Sequence, residues 1–126
     1  PIGLLFYNNQ LFYFSKNGKI IDKFREGINE SLIIFYGNQS SMAAYKFLNI
    51  INRTEAVNLI KESYYINERR WDVRLHNNIL LNLSEINIED SLKNYMKLIK
   101  KFNNSDIIKI KSIDLRDSEK AIISFK

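Results

Sequence analysis

Residues 64–83 read Tyr-Tyr-Ile-Asn-Glu-Arg-Arg-Trp-Asp-Val-Arg-Leu-His-Asn-Asn-Ile-Leu-Leu-Asn-Leu, and they contain the clearest structural pattern of the chain. From Trp71 to Leu75 every second residue is apolar, with Val73 in the middle, and charged residues fill the alternate positions. A period of two residues is typical of a strand with one buried face and one face in water. The stretch therefore predicts a strand at 71–75.

The segment after this strand repeats the same pattern up to Leu83. A three-residue turn over 76–78 pairs the apolar residues of the two strands, with Leu75 opposite Ile79, Val73 opposite Leu81 and Trp71 opposite Leu83. A two-residue turn would place Val73 opposite Asn82 and spoil the match. We therefore expect a hairpin with the three-residue turn, in which Asn78 adopts the positive φ that glycine usually provides.

Length and composition predict one domain, residues 1–126, with a hydrophobic core. The chain has 126 residues, of which 45% are hydrophobic and 13% aromatic, and it contains no cysteine that could form a disulfide. No apolar run approaches the ~18 residues that span a membrane. Because the sequence opens on Pro1 without a methionine or a signal-like segment, we expect it to be a fragment of a longer protein.

The remaining segments predict short strands and three helices. Alternating or continuous apolar residues favour strands at 4–7, 11–14, 19–24, 32–36, 107–115 and 121–125. A loop is expected at 25–29. Between 107 and 115 the apolar phase shifts by one residue, which suggests a bulge. The expected fold class is α+β, a mostly antiparallel sheet with helices packed on it.

Each predicted helix has a capping candidate and an apolar face. Ser40 or Ser41 precedes a stripe of apolar residues, namely Ala44, Phe47, Leu48 and Ile51. Thr54 precedes a shorter helix with Val57 and Ile60. Asn87 precedes a third helix whose apolar face consists of Ile88, Leu92, Tyr95, Met96, Ile99 and Phe102.

Catalytic and cofactor motifs are lacking. His76 is the single histidine and lies at a predicted turn, so without cysteine it cannot build a zinc site. The four glycines are scattered, and no phosphate-binding loop is present. We therefore expect neither an enzyme nor a cofactor or metal site.

The net charge and the last predicted strand each allow two interpretations. The net charge of +5 could serve a nucleic-acid module through Lys97, Lys100, Lys101, Lys109 and Lys111, but the basic residues are dispersed and are more typical of solvated faces. A chain that finishes on a strand often places it at a sheet edge, where a partner's strand can add. Alternatively, Lys120 and Lys126 simply guard that edge.

Two motifs resemble the periplasmic β domain of the FtsQ/DivIB family of bacterial cell-division proteins. The Glu-Arg-Arg-Trp-Asp-Leu-Arg-Leu pattern of that family corresponds to residues 68–75, and its Ile/Val-Asp-Leu-Arg pattern corresponds to residues 113–116. The order and spacing of these motifs agree with the family pattern along essentially the whole chain. Asn78 replaces a common glycine and Ser84 replaces a common proline, and both departures concern turn geometry.

The resemblance implies a single-pass inner-membrane protein whose transmembrane helix and POTRA domain precede this periplasmic domain. It implies no enzymatic activity, and it implies FtsB and FtsL as partners, with a strand of FtsB pairing along residues 120–125. Arg69 or Arg70 is the implied ionic contact, and Asp117 stands where some members have an aromatic residue. The implied partner-binding residues are Arg69, Arg70, Arg116, Asp117, Lys120, Ala121, Ile122, Ile123, Ser124 and Phe125.

Overall fold

A computed structural model describes residues 2–26, 31–37 and 41–126, which form one nine-stranded sheet with helices. The strands are β1 (Gly3–Tyr7), β2 (Gln10–Phe14), β3 (Ile20–Lys23), β4 (Ile34–Tyr36), β5 (Ile60–Ile66), β6 (Arg70–Leu75), β7 (Leu80–Asn82), β8 (Ile110–Asp114) and β9 (Ile122–Phe125). The α-helices are α1 (Ser41–Ile51), α2 (Ile88–Ile99) and α3 (Asn104–Ile107). A 3₁₀ helix covers Glu55–Leu59, and Lys16–Gly18 form a turn in which Asn17 has φ 64°.

The strand order across the sheet is β3-β2-β1-β4-β5-β6-β7-β8-β9. Three neighbouring pairs, β1–β4, β4–β5 and β7–β8, are parallel, and the other pairs are antiparallel. This confirms the predicted α+β class with a mostly antiparallel sheet. Within the three described ranges, no helix is both long and apolar enough to cross a membrane.

The β6–β7 hairpin has the predicted register. Val73 pairs with Leu81, and the Leu75 N–H donates to the Ile79 carbonyl over 2.9 Å. Asn78 has φ 71°, as expected of the residue that replaces glycine in this turn. The Asn77 side-chain oxygen accepts the Ile79 N–H at 3.1 Å, which stabilises the turn locally.

One face of the sheet carries the core. The row Phe35, Ser63, Val73, Leu81 and Ile113 crosses five neighbouring strands and is buried throughout. The predicted stripe of α1 is buried against this face, and α1 also contacts α2. We refer to this side as the helix face and to the other side as the open face.

Phe35 lies at the centre of an aromatic cluster in that core. Its ring meets those of Phe14, Phe47 and Trp71 edge-on, with centroid distances of 5.6, 6.4 and 5.6 Å. Trp71 is itself stacked between Phe47 at 4.8 Å and Tyr65 at 4.6 Å. Edge-to-face pairs of this kind add to the free energy gained by burial alone.

Three of the predicted element boundaries are wrong. Ile60 begins β5 and does not belong to the short helix before it, which is 3₁₀ and ends at Leu59. Strand β8 begins at Ile110 instead of residue 107, because Asn103 caps a helical turn by accepting the Asp106 N–H at 2.9 Å. Helix α2 ends at Ile99, so Phe102 lies beyond it.

Two predicted capping bonds are also wrong, whereas the bulge is confirmed. The Thr54 hydroxyl donates to the Ile51 carbonyl at 2.7 Å, and the Asn87 side chain makes no capping bond. The register shifts between Ile110 and Ser112, as the phase of the apolar residues indicated. Ser40 and the end of the 25–29 loop lie outside the described residues.

We predict that Phe35→Ala lowers the free energy of unfolding by about 3–5 kcal/mol, because it leaves a cavity among three rings. Phe6→Ala is the matched change on the open face, where Phe6 is 38% exposed, and we expect a loss of about 1 kcal/mol or less. Urea unfolding of both variants measures the difference. Equal losses would contradict a core whose larger part lies on the helix face.

Candidate partner-binding edge

Strand β9 forms one edge of the sheet and pairs with β8. Ile122 is 54% exposed and Phe125 is 56% exposed, so β9 presents two large apolar side chains to solvent. The expectation that the last strand lies at an edge is confirmed.

The backbone of β9 presents alternate residues outward. The Lys126 N–H donates to the Lys109 carbonyl at 2.8 Å, so Lys126 faces β8. Because hydrogen-bonding direction alternates along a strand, Ser124 and Ile122 also face β8. The N–H and C=O groups of Ile123 and Phe125 therefore point away from the sheet.

The β8–β9 register shows on which face of the sheet each β9 side chain lies. Ile123 pairs with buried Ile113 and packs against the core, so it belongs to the helix face. By alternation Ala121 and Phe125 share this face, whereas Ile122 and Ser124 lie on the open face. An added strand would meet different side chains on each face of the sheet.

A pocket of about 530 Å³ lies at the end of the sheet where β5, β7 and β8 finish and β6 begins. Three of its lining side chains are arginines, and the described lining residues are Ile66, Asn67, Arg69, Arg70, Ser84, Glu85, Ile86 and Arg116. We call it the arginine pocket. It brings together three predicted site residues from two separate segments of the chain.

The β5–β6 turn places two of these arginines on the pocket. The Arg69 N–H donates to the Ile66 carbonyl at 3.0 Å, and both Asn67 (φ 53°) and Glu68 (φ 54°) are left-handed. These angles are those of a type I′ turn over residues 66–69, and because Ile66 pairs with Arg70 the connection between the two strands has three residues. The Tyr65 hydroxyl donates to the Glu68 carbonyl at 2.9 Å. This bond stabilises the positive φ of Glu68, a conformation that glutamate rarely adopts.

Each arginine of the pocket is already held by a carboxylate of the chain. Arg69 lies 3.3 Å from Glu85, and Arg70 lies 3.3 Å from Asp72. The Arg116 guanidinium forms a bidentate ion pair with Asp114, in which Nε and Nη2 donate to the two carboxylate oxygens at 3.0 and 2.7 Å. The structure thus places both Arg69 and Arg70 at the pocket, and Arg69 is the more exposed of the two.

The ion pair with Asp114 orients the Arg116 guanidinium and leaves some of its N–H donors free. Hydrogen bonds from Arg116 hold the pKa of Asp114 below its usual value, and the same bonds raise the pKa of Arg116. A guanidinium has five N–H groups, of which this pairing uses two. The Arg116 side chain is 52% exposed, so the others can meet a partner's carboxylate.

A second pocket, of about 480 Å³, connects Arg116 to the edge strand. The described residues that line it are Asp114, Arg116, Asp117, Lys120 and Ile122. Asp117 lies in the β8–β9 turn, where its carboxylate accepts the Glu119 N–H at 2.9 Å. Arg116 belongs to both pockets and therefore links the arginine pocket to β9.

Some lining residues were not among the predicted site residues, namely Glu85, Ile86 and Ser84. The predicted hairpin register could have found them, because Trp71 opposite Leu83 implies that residues 69 and 70 lie beside 84 and 85. Ile86 is 85% exposed, so it adds an apolar surface to the arginine pocket.

Other kinds of site receive little support. His76 is exposed in its turn, and within residues 2–26, 31–37 and 41–126 no three His, Cys, Asp or Glu side chains are grouped to hold a metal ion. The lysines of the nucleic-acid alternative lie in or near α2 and at the start of β8, and no lysine is among the described residues that line the arginine pocket.

Residues 5–116 match the family described as "Cell division protein FtsQ/DivIB, C-terminal". The chain is also similar to proteins named "Cell division protein FtsQ". It is 32% identical to that of Rickettsia bellii over 124 residues, 98% of the chain and 46% of the relative. It is 30% identical to that of Rickettsia felis over 129 residues, with the same coverage of both chains.

The chain thus spans about half the length of the curated relatives that it matches. The family match runs from the middle of β1 to two residues beyond β8, and the matches to the relatives extend over nearly all of the chain. The chain belongs to the FtsQ/DivIB family of cell-division proteins.

Proposed function

We propose that this domain is a non-enzymatic scaffold of the division machinery that binds FtsB and FtsL in the periplasm. In this proposal a strand of FtsB adds to β9, and the parent protein is anchored in the inner membrane by a helix outside this chain. The observation that carries the proposal is the outward-facing backbone of Ile123 and Phe125 on an edge strand that begins beside Arg116.

The small number of outward backbone groups on β9 indicates that side-chain contacts must add to the main-chain hydrogen bonds. Ile123 and Phe125 together offer two N–H and two C=O groups. At about 0.5–1.5 kcal/mol net for each hydrogen bond, these groups supply roughly 2–6 kcal/mol. A micromolar complex needs about 8 kcal/mol, so side-chain contacts have to contribute the rest.

Two sets of side chains are placed to make those contacts. The exposed apolar surfaces of Ile122 and Phe125 flank the edge on its two faces. The arginine pocket lies at the sheet end where β9 begins, and its cations are suited to acidic residues of a partner. Charge at the rim of an interface mainly raises the association rate and the specificity.

We expect Ile123→Pro to weaken binding of the periplasmic segment of the cognate FtsB by about tenfold or more. The substitution removes an outward N–H and places a ring where the added strand would lie. Because this N–H has no partner in β8, the fold should survive, and circular dichroism checks this. Isothermal titration calorimetry measures the affinity.

Two controls separate the backbone from the side chain. Ile123→Ala keeps the outward N–H and should bind more tightly than Ile123→Pro. Ile122→Pro removes an N–H that faces β8 and should lower stability instead. If folded Ile123→Pro binds FtsB as tightly as Ile123→Ala, strand addition at β9 is wrong.

We expect Arg116→Gln to slow the association with FtsB and to flatten its dependence on salt, because one cation of the interface is lost. Arg25→Gln is the matched control. Arg25 also forms an exposed ion pair, with Asp22 at 3.3 Å, and it follows β3, the strand at the opposite edge. Stopped-flow kinetics at several salt concentrations measure both variants. Equal effects would mean that only the net charge matters.

A further inference from the structure

Two buried serines connect three elements behind the arginine pocket. Ser91, in the first turn of α2, is 2% exposed, and its hydroxyl donates to the Leu115 carbonyl at 3.1 Å. The same hydroxyl accepts the Ser84 N–H at 3.0 Å. The Ser84 hydroxyl in turn accepts the Asn87 N–H at 3.1 Å. Helix α2 is thereby joined to the ends of β7 and β8.

The Ser91 hydroxyl occupies a place in the β7–β8 ladder. The Leu115 N–H donates to the Asn82 carbonyl at 2.9 Å, which continues the parallel pairing beyond Asp114. In a regular parallel ladder the next bond would run directly from the Ser84 N–H to the Leu115 carbonyl. Here the hydroxyl stands between these two groups and accepts from one while donating to the other.

An inserted hydroxyl holds the two strand ends apart, because a relay of two hydrogen bonds is longer than one. The residues that follow its two partners are Glu85 and Arg116, and both line the arginine pocket. Glu85 also binds Arg69, its neighbour on the same wall of the pocket. The separation of the strand ends therefore sets the distance between the two sides of the pocket.

We infer that Ser91 is a positioning residue of the partner-binding site, which fixes Arg116 relative to Glu85 and Arg69. This inference rests on the proposed function. Ser91 is buried and has no direct access to a partner, so it acts through the backbone at residues 84 and 115. Without its hydroxyl, the Ser84 N–H and the Leu115 carbonyl can bond directly, and the pocket narrows.

A double-mutant cycle with Arg116 tests the inference. The variants are Ser91→Ala, Arg116→Gln and the double variant, and the probe is the periplasmic segment of the cognate FtsB. A positioning residue acts through Arg116, so we expect each single variant to bind about tenfold more weakly and the double variant to be no weaker than Arg116→Gln. A loss in the double variant equal to the product of the single losses overturns the inference.

Ser63→Ala is the matched control for removing a buried hydroxyl. Ser63 is fully buried on the helix face, and its Oγ has no hydrogen-bond partner among the residues that the structure describes. We expect wild-type binding from this variant. If Ser63→Ala weakens binding as much as Ser91→Ala does, the effect reflects general stability and the inference fails.

Binding by wild type separates failure of the inference from failure of the proposed function, and an NMR readout of the Arg116 Nε–H reports the position of Arg116 directly. A displaced Arg116 changes the shift of this group in free Ser91→Ala but not in Ser63→Ala. If wild type binds FtsB and Ser91→Ala binds equally well, the inference is overturned and the proposed function stands. If wild type does not bind, both fail, whatever the shift. Should Ser91→Ala not fold, Ser91→Cys, which has a slightly larger side chain and a much weaker donor, takes its place in the cycle.

Discussion

The register of the β6–β7 hairpin, in which Val73 pairs with Leu81, determines which side chains of the central strands are buried. Since the side-chain period of a strand is two, a slip by one residue would move every apolar side chain of one strand to the opposite face. The row continues through Ser63 on one side and Ile113 on the other, so this register sets the faces of the whole central sheet. The same register brings the β5–β6 turn beside residues 84 and 85, and so it also builds one wall of the arginine pocket.

The two parallel crossovers explain why one face stays open. Each of the β4-α1-β5 and β7-α2-β8 units moves the chain in the same direction across the sheet, and right-handed crossovers then place both helices on one side. The open face is stabilised by polar and aromatic contacts instead. Tyr36 and Tyr64 stack at 5.0 Å, and both hydroxyls donate to Glu62. Burial, together with the charge of Glu62, raises the pKa of Tyr36 to about 12, so this network keeps its protons at any physiological pH.

Sequence reasoning succeeded where the determining contacts are local. The hairpin, the left-handed Asn78 and the bulge of β8 all follow from patterns within about ten residues, and each is confirmed. It failed at Ile60, because an apolar residue beside a short helical turn fits a helix or a strand equally well. The assembly of the arginine pocket needs the parallel β7–β8 pairing, which joins segments about 30 residues apart and leaves no local pattern. Residues 69, 70 and 116 were therefore predicted individually, but not their common pocket with Glu85.

Under the proposed function, the edge and the arginine pocket have complementary roles. Main-chain hydrogen bonds along β9 are the same for any sequence, so a partner strand could slip by two residues and keep its faces. The edge is only four residues long, and a slip would leave part of it unpaired. Cations fixed at one end of the sheet remove this ambiguity, because an acidic residue of the partner can meet them in one register alone. Specificity then depends on how firmly Arg116 is held. Its side chain is held by the ion pair with Asp114, and its backbone is held by the hydrogen bond from the Ser91 hydroxyl to the preceding Leu115 carbonyl.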